Sequence, residues 1–266
     1  MAAMYSKTRL QVIAFLLCLV SIPILGTTLQ AQQWQDLYEP VNDTQLPCRI
    51  MTPVAIENGV KYPVVLSLHG AGGKGVDNKK QLKAWNKQLA QNAVRTKFPC
   101  YVVAPQADQL WNKGHYEEVK KIISRLPQID KSRIYILGHS MGGHGTYIFL
   151  QFERDYFAAG APSAGTGLRT TTEFINSNKI QHYPIWAFHG DKDSVCPFSK
   201  QQKVFDEVKQ FHGNLKLTIW IGDNHGVSAK FIPGADNGKT IYSSGKCDRE
   251  EDFLTWLFEQ KRDESM

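Results

Sequence analysis

The 266-residue sequence has little cysteine, and what it has is dispersed: five residues, with no C-x-x-C pair and no His/Cys spacing of a zinc ligand set. It lacks a basic stripe. The +6 formal charge comes from lysines and arginines scattered at helical spacing (Lys79, Lys80, Lys83, Lys87; Lys120, Lys121; Lys200, Lys203), which reads as solvated helix faces and excludes a nucleic-acid footprint. No internal repeat, biased tract or Pro/Ser/Gly-rich linker divides the chain, so one domain is the economical reading of residues 32–266. The longest apolar run, residues 12–25, is about fourteen residues long and contains Pro23, short of the ~20 that span hydrocarbon.

That run has a different meaning at its position. Lys7 and Arg9 precede it, and small and polar residues ending in Leu29-Gln30-Ala31 follow it. This order is that of a secretory signal peptide over residues 1–31, cleaved after Ala31, and predicts an exported protein without stable membrane insertion. Cleavage leaves Cys48, Cys100, Cys196 and Cys247, an even number that permits two disulfides in an oxidising compartment.

Beyond residue 31, short apolar runs alternate with longer amphipathic ones. Strands are expected at Tyr62–Leu68 and at 100–104, 133–137, 157–162, 185–188 and 215–221, with an edge strand at 48–53. Helices are expected at 81–95, 116–126, 142–153, 197–211 and 249–261. This alternation predicts an α/β fold with a mostly parallel central sheet and helices on both faces.

In such a sheet, chemistry gathers at the carboxyl ends of the strands. Gly138-His139-Ser140-Met141-Gly142 follows one strand and opens a helix, the context of a nucleophile elbow. The turn is too tight for side chains at the flanking positions, and it lifts the Ser140 hydroxyl off the sheet. A serine hydroxyl needs a base to take its proton. The strand at 185–188 ends in HGDKDSVCP and the strand at 215–221 in GDNHG, so an acid and then a histidine follow Ser140 in chain order. His225 is the expected base. Asp193 is the favoured acid, because it lies far enough along its loop to turn toward the histidine; Asp191 and Asp223 are the alternatives.

A glycine-rich loop, Leu68-His69-Gly70-Ala71-Gly72-Gly73-Lys74-Gly75, follows the first strand. It fails the phosphate-loop pattern, since Gly75 stands where Ser or Thr is required, and it lacks the dinucleotide spacing. The better reading is an oxyanion hole formed by the amides of Ala71 and Met141. No cofactor or metal is expected.

The segments LHGAGGKG, GHSMGG, HGDKDSVCP and GDNHG, closed by FLTWLFEQKR, resemble secreted serine esterases of the α/β-hydrolase superfamily. The resemblance is to the carboxylesterase/phospholipase-like, polyhydroxybutyrate-depolymerase and feruloyl-esterase groups, some members of which are labelled predicted peptidases. It covers residues 45–262. It implies Ser140, Asp193 and His225 as a triad, Ala71 and Met141 as the oxyanion hole, and Trp111 in the substrate pocket. The chain departs from the pattern after its histidine, where residues 226–246 form a long polar stretch ending at Cys247. As a loop capping the site, that stretch would bring Cys247 toward Cys196 and permit a Cys196–Cys247 disulfide. The implied substrate is a small-molecule or polymer-linked carboxylic ester. The alternatives are a prolyl-oligopeptidase-like serine peptidase and a non-catalytic binding protein.

Overall fold

The computed structural model describes residues 33–168 and 175–262. The expected signal peptide therefore lies outside the described residues. Nine strands form one sheet: β1 Glu39–Val41, β2 Cys48–Met51, β3 Tyr62–Leu68, β4 Tyr101–Pro105, β5 Ile129–His139, β6 Ala159–Ser163, β7 Ile185–Gly190, β8 Leu215–Trp220 and β9 Gly238–Tyr242, in the order β1-β2-β4-β3-β5-β6-β7-β8-β9. The pairs from β4 through β8 are parallel. β1–β2, β2–β4 and β8–β9 are antiparallel.

The central strands are largely apolar because both faces are covered, and every residue of β3 is buried. Their side chains alternate between two cores. Leu66 and Leu68 pack with Tyr116, Tyr147, Phe149 and Val204, from helices α3 (Lys113–Ser124), α4 (Met141–Phe152) and α6 (Phe198–Gln210). Val65 faces the other way, with Trp85 of α1 (Ala84–Leu89) and Phe253 and Trp256 of α7 (Phe253–Glu259). Two further short helices are α2 (Asn92–Lys97) and α5 (Ser177–Ile180).

Three expectations are corrected. The single helix at 81–95 is two, because the chain turns extended at Gln91 (φ −63°, ψ 135°) between α1 and α2. The stretch 226–246 reaches the site only at its start, where Ser228 borders the Ser140 cleft, and is not a long loop over it. A single 3-10 turn at Val227–Ala229 leads to β9, which pairs residue for residue with β8 from Lys216↔Tyr242 to Trp220↔Gly238. The Cys196–Cys247 disulfide is absent, and all four described cysteines are free and buried. Cys196 lies beyond the carboxyl end of β7, where its carbonyl meets His189 Nε2 at 2.7 Å. Cys247 lies at the opposite end of the sheet, 3.6 Å from Ser243 Oγ, whose backbone amide bonds Leu215 at the start of β8. A six-residue strand separates the two ends, about 20 Å at ~3.3 Å per residue, whereas a disulfide tolerates ~7 Å between α-carbons. Cys48 and Cys100 belong to the two different cores.

Burial pushes the Cys100 and Cys196 thiols up to about 12 and raises Cys48 further still. Since the thiolate is the reactive form, iodoacetamide is expected to leave these three cysteines unmodified in the folded protein, and burial alone shields Cys247 from it. All four should be alkylated in concentrated guanidinium without a reductant. Peptide mass mapping checks this, and a pair that resists alkylation after unfolding would mark a disulfide.

Candidate active site

β5 runs straight into α4, and the single residue between them is Ser140. Its backbone sits at φ 58°, ψ −121°, a region that costs a non-glycine residue on the order of 1–3 kcal/mol. Two backbone bonds hold it there: Ser140 N donates to Ser163 O at 2.8 Å, and His144 N donates to Ser140 O at 2.9 Å. The flanking glycines are sterically required. A β-carbon on Gly142 would lie 1.9 Å from Leu68 O, and one on Gly138 would lie 2.6 Å from the Gly142 carbonyl. Helix α4 thus crosses the end of β3 at backbone contact distance.

The Ser140 hydroxyl meets one side chain, His225, which in turn meets Asp193. Ser140 Oγ lies 2.8 Å from His225 Nε2, and His225 Nδ1 lies 2.7 Å from Asp193 Oδ2. A carboxylate only accepts, so Nδ1 carries the proton and donates to Asp193. Nε2 is then the acceptor for the Ser140 hydroxyl, the tautomer a general base requires. Asp193 Oδ1 accepts the amides of Val195 and Cys196 at 2.9 and 2.8 Å. His189, fully buried, brings Nε2 to 3.3 Å from Asp193 Oδ2. Burial would raise the Asp193 carboxyl, but hydrogen bonds from His189, His225 and the Cys196 amide outweigh it and hold the group well below the usual carboxylate range.

The other candidate acids go elsewhere. Asp191 Oδ1 accepts the Gly222 amide at 2.7 Å and ties the β7 loop to the β8 loop. Asp223 is bound by Lys230 Nζ and by Asn237 Nδ2.

Ala71 begins a 3-10 turn of residues Ala71–Gly73 that lies against the nucleophile: a β-carbon on Gly70 would be 3.3 Å from Ser140 Cβ. His69 fixes this turn from below. Its Nε2 accepts from Ala107 N at 2.9 Å, so its Nδ1 donates to Gly70 O at 2.8 Å. Met141, the other predicted amide donor, is the first residue of α4, where backbone N–H groups have no partner within the helix.

Together these elements border a cleft of about 410 Å³ that includes Ser140, His225, Ala71, Trp85, Val195 and Ser228. Trp111 is not among its walls, contrary to expectation. It is 3% exposed, donates its indole N–H to His69 O at 3.2 Å and packs on His69, His115 and Phe149. The segment after β4 folds beneath the glycine-rich loop, on the core face opposite Trp85. Trp85 takes the wall position, braced by a 2.7 Å bond from its indole N–H to Ser67 Oγ.

Sequence reasoning missed three polar residues of the cleft, His139, Lys83 and Ser228. His139, in the variable position of the elbow, places its ring 4.9 Å from that of His225 and its Nδ1 3.1 Å from Ser163 Oγ. Its position beside the nucleophile was the available signal. Lys83 donates from Nζ to Gly72 O at 3.1 Å, and burial lowers its pKa. Nothing in the local sequence marks it.

The sequence profile of the dienelactone hydrolase family matches residues 50–257. A curated relative, the bifunctional acetylxylan esterase/xylanase XynS20E of Neocallimastix patriciarum, is 25% identical over 142 residues, which is 53% of this chain and 19% of that protein. Among solved structures, a thermostable esterase superposes with a TM-score of 0.68 at 27% identity, over 86% of this chain and 64% of its own. The Pyrococcus horikoshii acylaminoacyl peptidase gives 0.53 at 20% identity, over 72% of this chain and 38% of its own, a likeness of fold alone. The chain thus spans about a fifth of the curated relative and just under two thirds of the first structure.

Burial lowers His69 to about 4. Burial and the neighbouring His225 lower His139 to about 3. Both values lie below the ordinary 6.5, so the unfolded chain binds more protons than the folded one in that interval. The resulting stability is fully present above about pH 6.5 and is lost as pH falls toward 4 and 3, at up to about 1.4 kcal/mol per pH unit for each histidine. Urea midpoints measured at constant ionic strength should fall across this window, and His69→Gln should flatten the slope.

Proposed function

This chain belongs to the dienelactone hydrolase family, and from that premise we propose that it is an exported serine esterase in which Ser140 attacks a carboxylic ester. The observation that carries this reading is the hydrogen-bonded chain Ser140 Oγ–His225–Asp193, 2.8 and 2.7 Å long, open to a cleft at the carboxyl ends of the strands. As the Ser140 Oγ bonds to the carbonyl carbon, its proton passes to His225 Nε2. The Asp193 carboxylate, held as the anion, stabilises the imidazolium without taking its proton. The charge that develops on the carbonyl oxygen faces the amides of Ala71 and Met141; losing one such donor typically costs about 3–4 kcal/mol. Collapse breaks the ester C–O bond, and His225 returns the proton to the departing alkoxide. Water activated by the same imidazole then hydrolyses the acyl-Ser140 intermediate.

The cleft favours a short acyl group. Trp85, Ala84, Gly70–Gly72 and the half-exposed Val195 line it. Export is supported by the basic, apolar and small-residue order of positions 7–31. An amide substrate is the second reading, favoured by the acylaminoacyl peptidase's shared fold. Ester is preferred because the esterase has both the higher identity and the higher TM-score.

A panel of p-nitrophenyl esters of increasing acyl length, run beside peptide p-nitroanilides, separates the two. Acetyl and propionyl esters should be turned over and the anilides should not. Ser140→Ala should abolish labelling by a fluorophosphonate probe and lower kcat by about four orders of magnitude or more, and Asp193→Asn by about four. Anilide cleavage without ester cleavage would reverse the substrate assignment, and an unlabelled wild-type serine would remove Ser140 as nucleophile.

A further inference from the structure

Away from the Ser140 cleft, a second cavity of about 390 Å³ opens between β8, β9 and the segment that enters α7. Its volume is that of a small-ligand site, a class that runs from about 300 to 1,000 Å³. Its floor is aromatic, with Trp186, Phe188 and Trp220 from β7 and β8, and Phe231 and Phe253 at the side. Polar groups are set among these rings. Trp186 Nε1 donates to Thr218 Oγ1 at 2.8 Å, and the Thr218 and Thr240 hydroxyls share a 2.8 Å hydrogen bond in which either can be the donor. Either way, one of the two hydroxyl protons is left for another acceptor. Trp220, 97% buried, lines the cavity with its ring, while its indole N–H is closed off from solvent and has no hydrogen-bond partner among the described residues. Glu250, Glu251 and Asp252 complete the rim. Glu250 Oε1 and Asp252 Oδ1 accept backbone amides, while the Glu251 carboxylate has no hydrogen bond or ion pair among the described residues.

The chemistry of the ligand follows by elimination. A hydrocarbon would leave a threonine hydroxyl proton and the Glu251 carboxylate facing it without a partner, an unfavourable arrangement for polar groups. An anion would meet three carboxylates. A cation would seek a ring face, but the protein's own cations already occupy two: Lys216 Nζ lies 3.7 Å from the Trp186 centroid, and the Arg249 guanidinium lies 3.7 Å from that of Tyr242. A neutral polyol with C–H faces satisfies the lining, since its hydroxyls can donate to carboxylates and accept from the threonine pair while its C–H groups pack on the rings. We propose that this cavity is a carbohydrate site that binds a neutral pyranose unit of a glycan, separate from the cleft that holds Ser140. Such a site would keep the protein on a polymer whether or not that polymer carries the bond cleaved at Ser140.

Calorimetric titration of the full chain with xylohexaose, cellohexaose and mannohexaose tests this, because none of the three carries an ester and binding needs no turnover. At least one should bind, and Trp220→Phe and Thr240→Val should each weaken it about tenfold or more. The indole N–H resonance of Trp220, identified by its loss in Trp220→Phe, should shift on addition of the sugar to the wild type. Glu251→Gln, on the exposed rim, should also weaken binding and serves if either buried variant fails to fold. The proposal is overturned if no hexaose binds the wild type, if binding persists unchanged in every folded variant, or if tetramethylammonium rather than a sugar moves the Trp220 resonance. Failure of every ester in the panel would leave this result standing, so the two assignments fall separately.

Discussion

The architecture depends on one contact between two backbones. Leu68 O, at the end of β3, reaches so close to Gly142 that any side chain there would have to pass through it. That approach lets α4 start immediately after β5, and an immediate start forces Ser140 into its positive-φ conformation. The strain at this residue is carried by the surrounding sheet: Ser163 O on β6 receives its amide, and the buried β3 stands behind the glycine. The same approach brings the turn after β3 alongside the serine, so nucleophile and candidate oxyanion amides are set by a single packing event.

The second half of the site is organised around a fixed negative charge. Asp193 receives two amides on one oxygen and two imidazoles near the other. His189 must donate through Nε2 to the Cys196 carbonyl, which leaves its Nδ1 buried without a partner among the described residues. That unpaired nitrogen belongs to the residue that brings Cys196 and Asp193 together, so local satisfaction yields to the placement of the acid. With the carboxylate fixed as the anion, His225 has one usable tautomer, and its free nitrogen faces Ser140.

The parts legible in the sequence were those governed by short-range rules. The short, mainly apolar runs at β3, β4, β7 and β8 read as strands covered on both faces. GHSMGG announced its turn because glycine spacing reports sterics directly. Ser140, Asp193 and His225, read from chain order and strand ends, are brought together. The expectations that failed depended on tertiary direction. Trp111 and Trp85 are equally aromatic, and only the side of the sheet decides which one walls the cleft. Cys196 and Cys247 are close along the chain's loops but lie at opposite ends of the sheet. β9 escaped notice because its short alternation, Thr240-Ile241-Tyr242, follows a polar stretch and gains its meaning from the open edge of β8. Lys83 reaches the cleft through a long flexible side chain, a placement that no local pattern encodes.

Both margins of the sheet end in short antiparallel strands, and this bears on how the molecule behaves in company. An outer strand presents unpaired amides and carbonyls that can recruit another chain. Here β1 has only three residues and carries Pro40, which has no amide hydrogen to offer. On the far side, β9 carries the exposed Lys239. Neither margin is a good template for a neighbour's backbone. A nine-stranded sheet with so apolar an interior thus leaves little open backbone at either margin on which another copy could build.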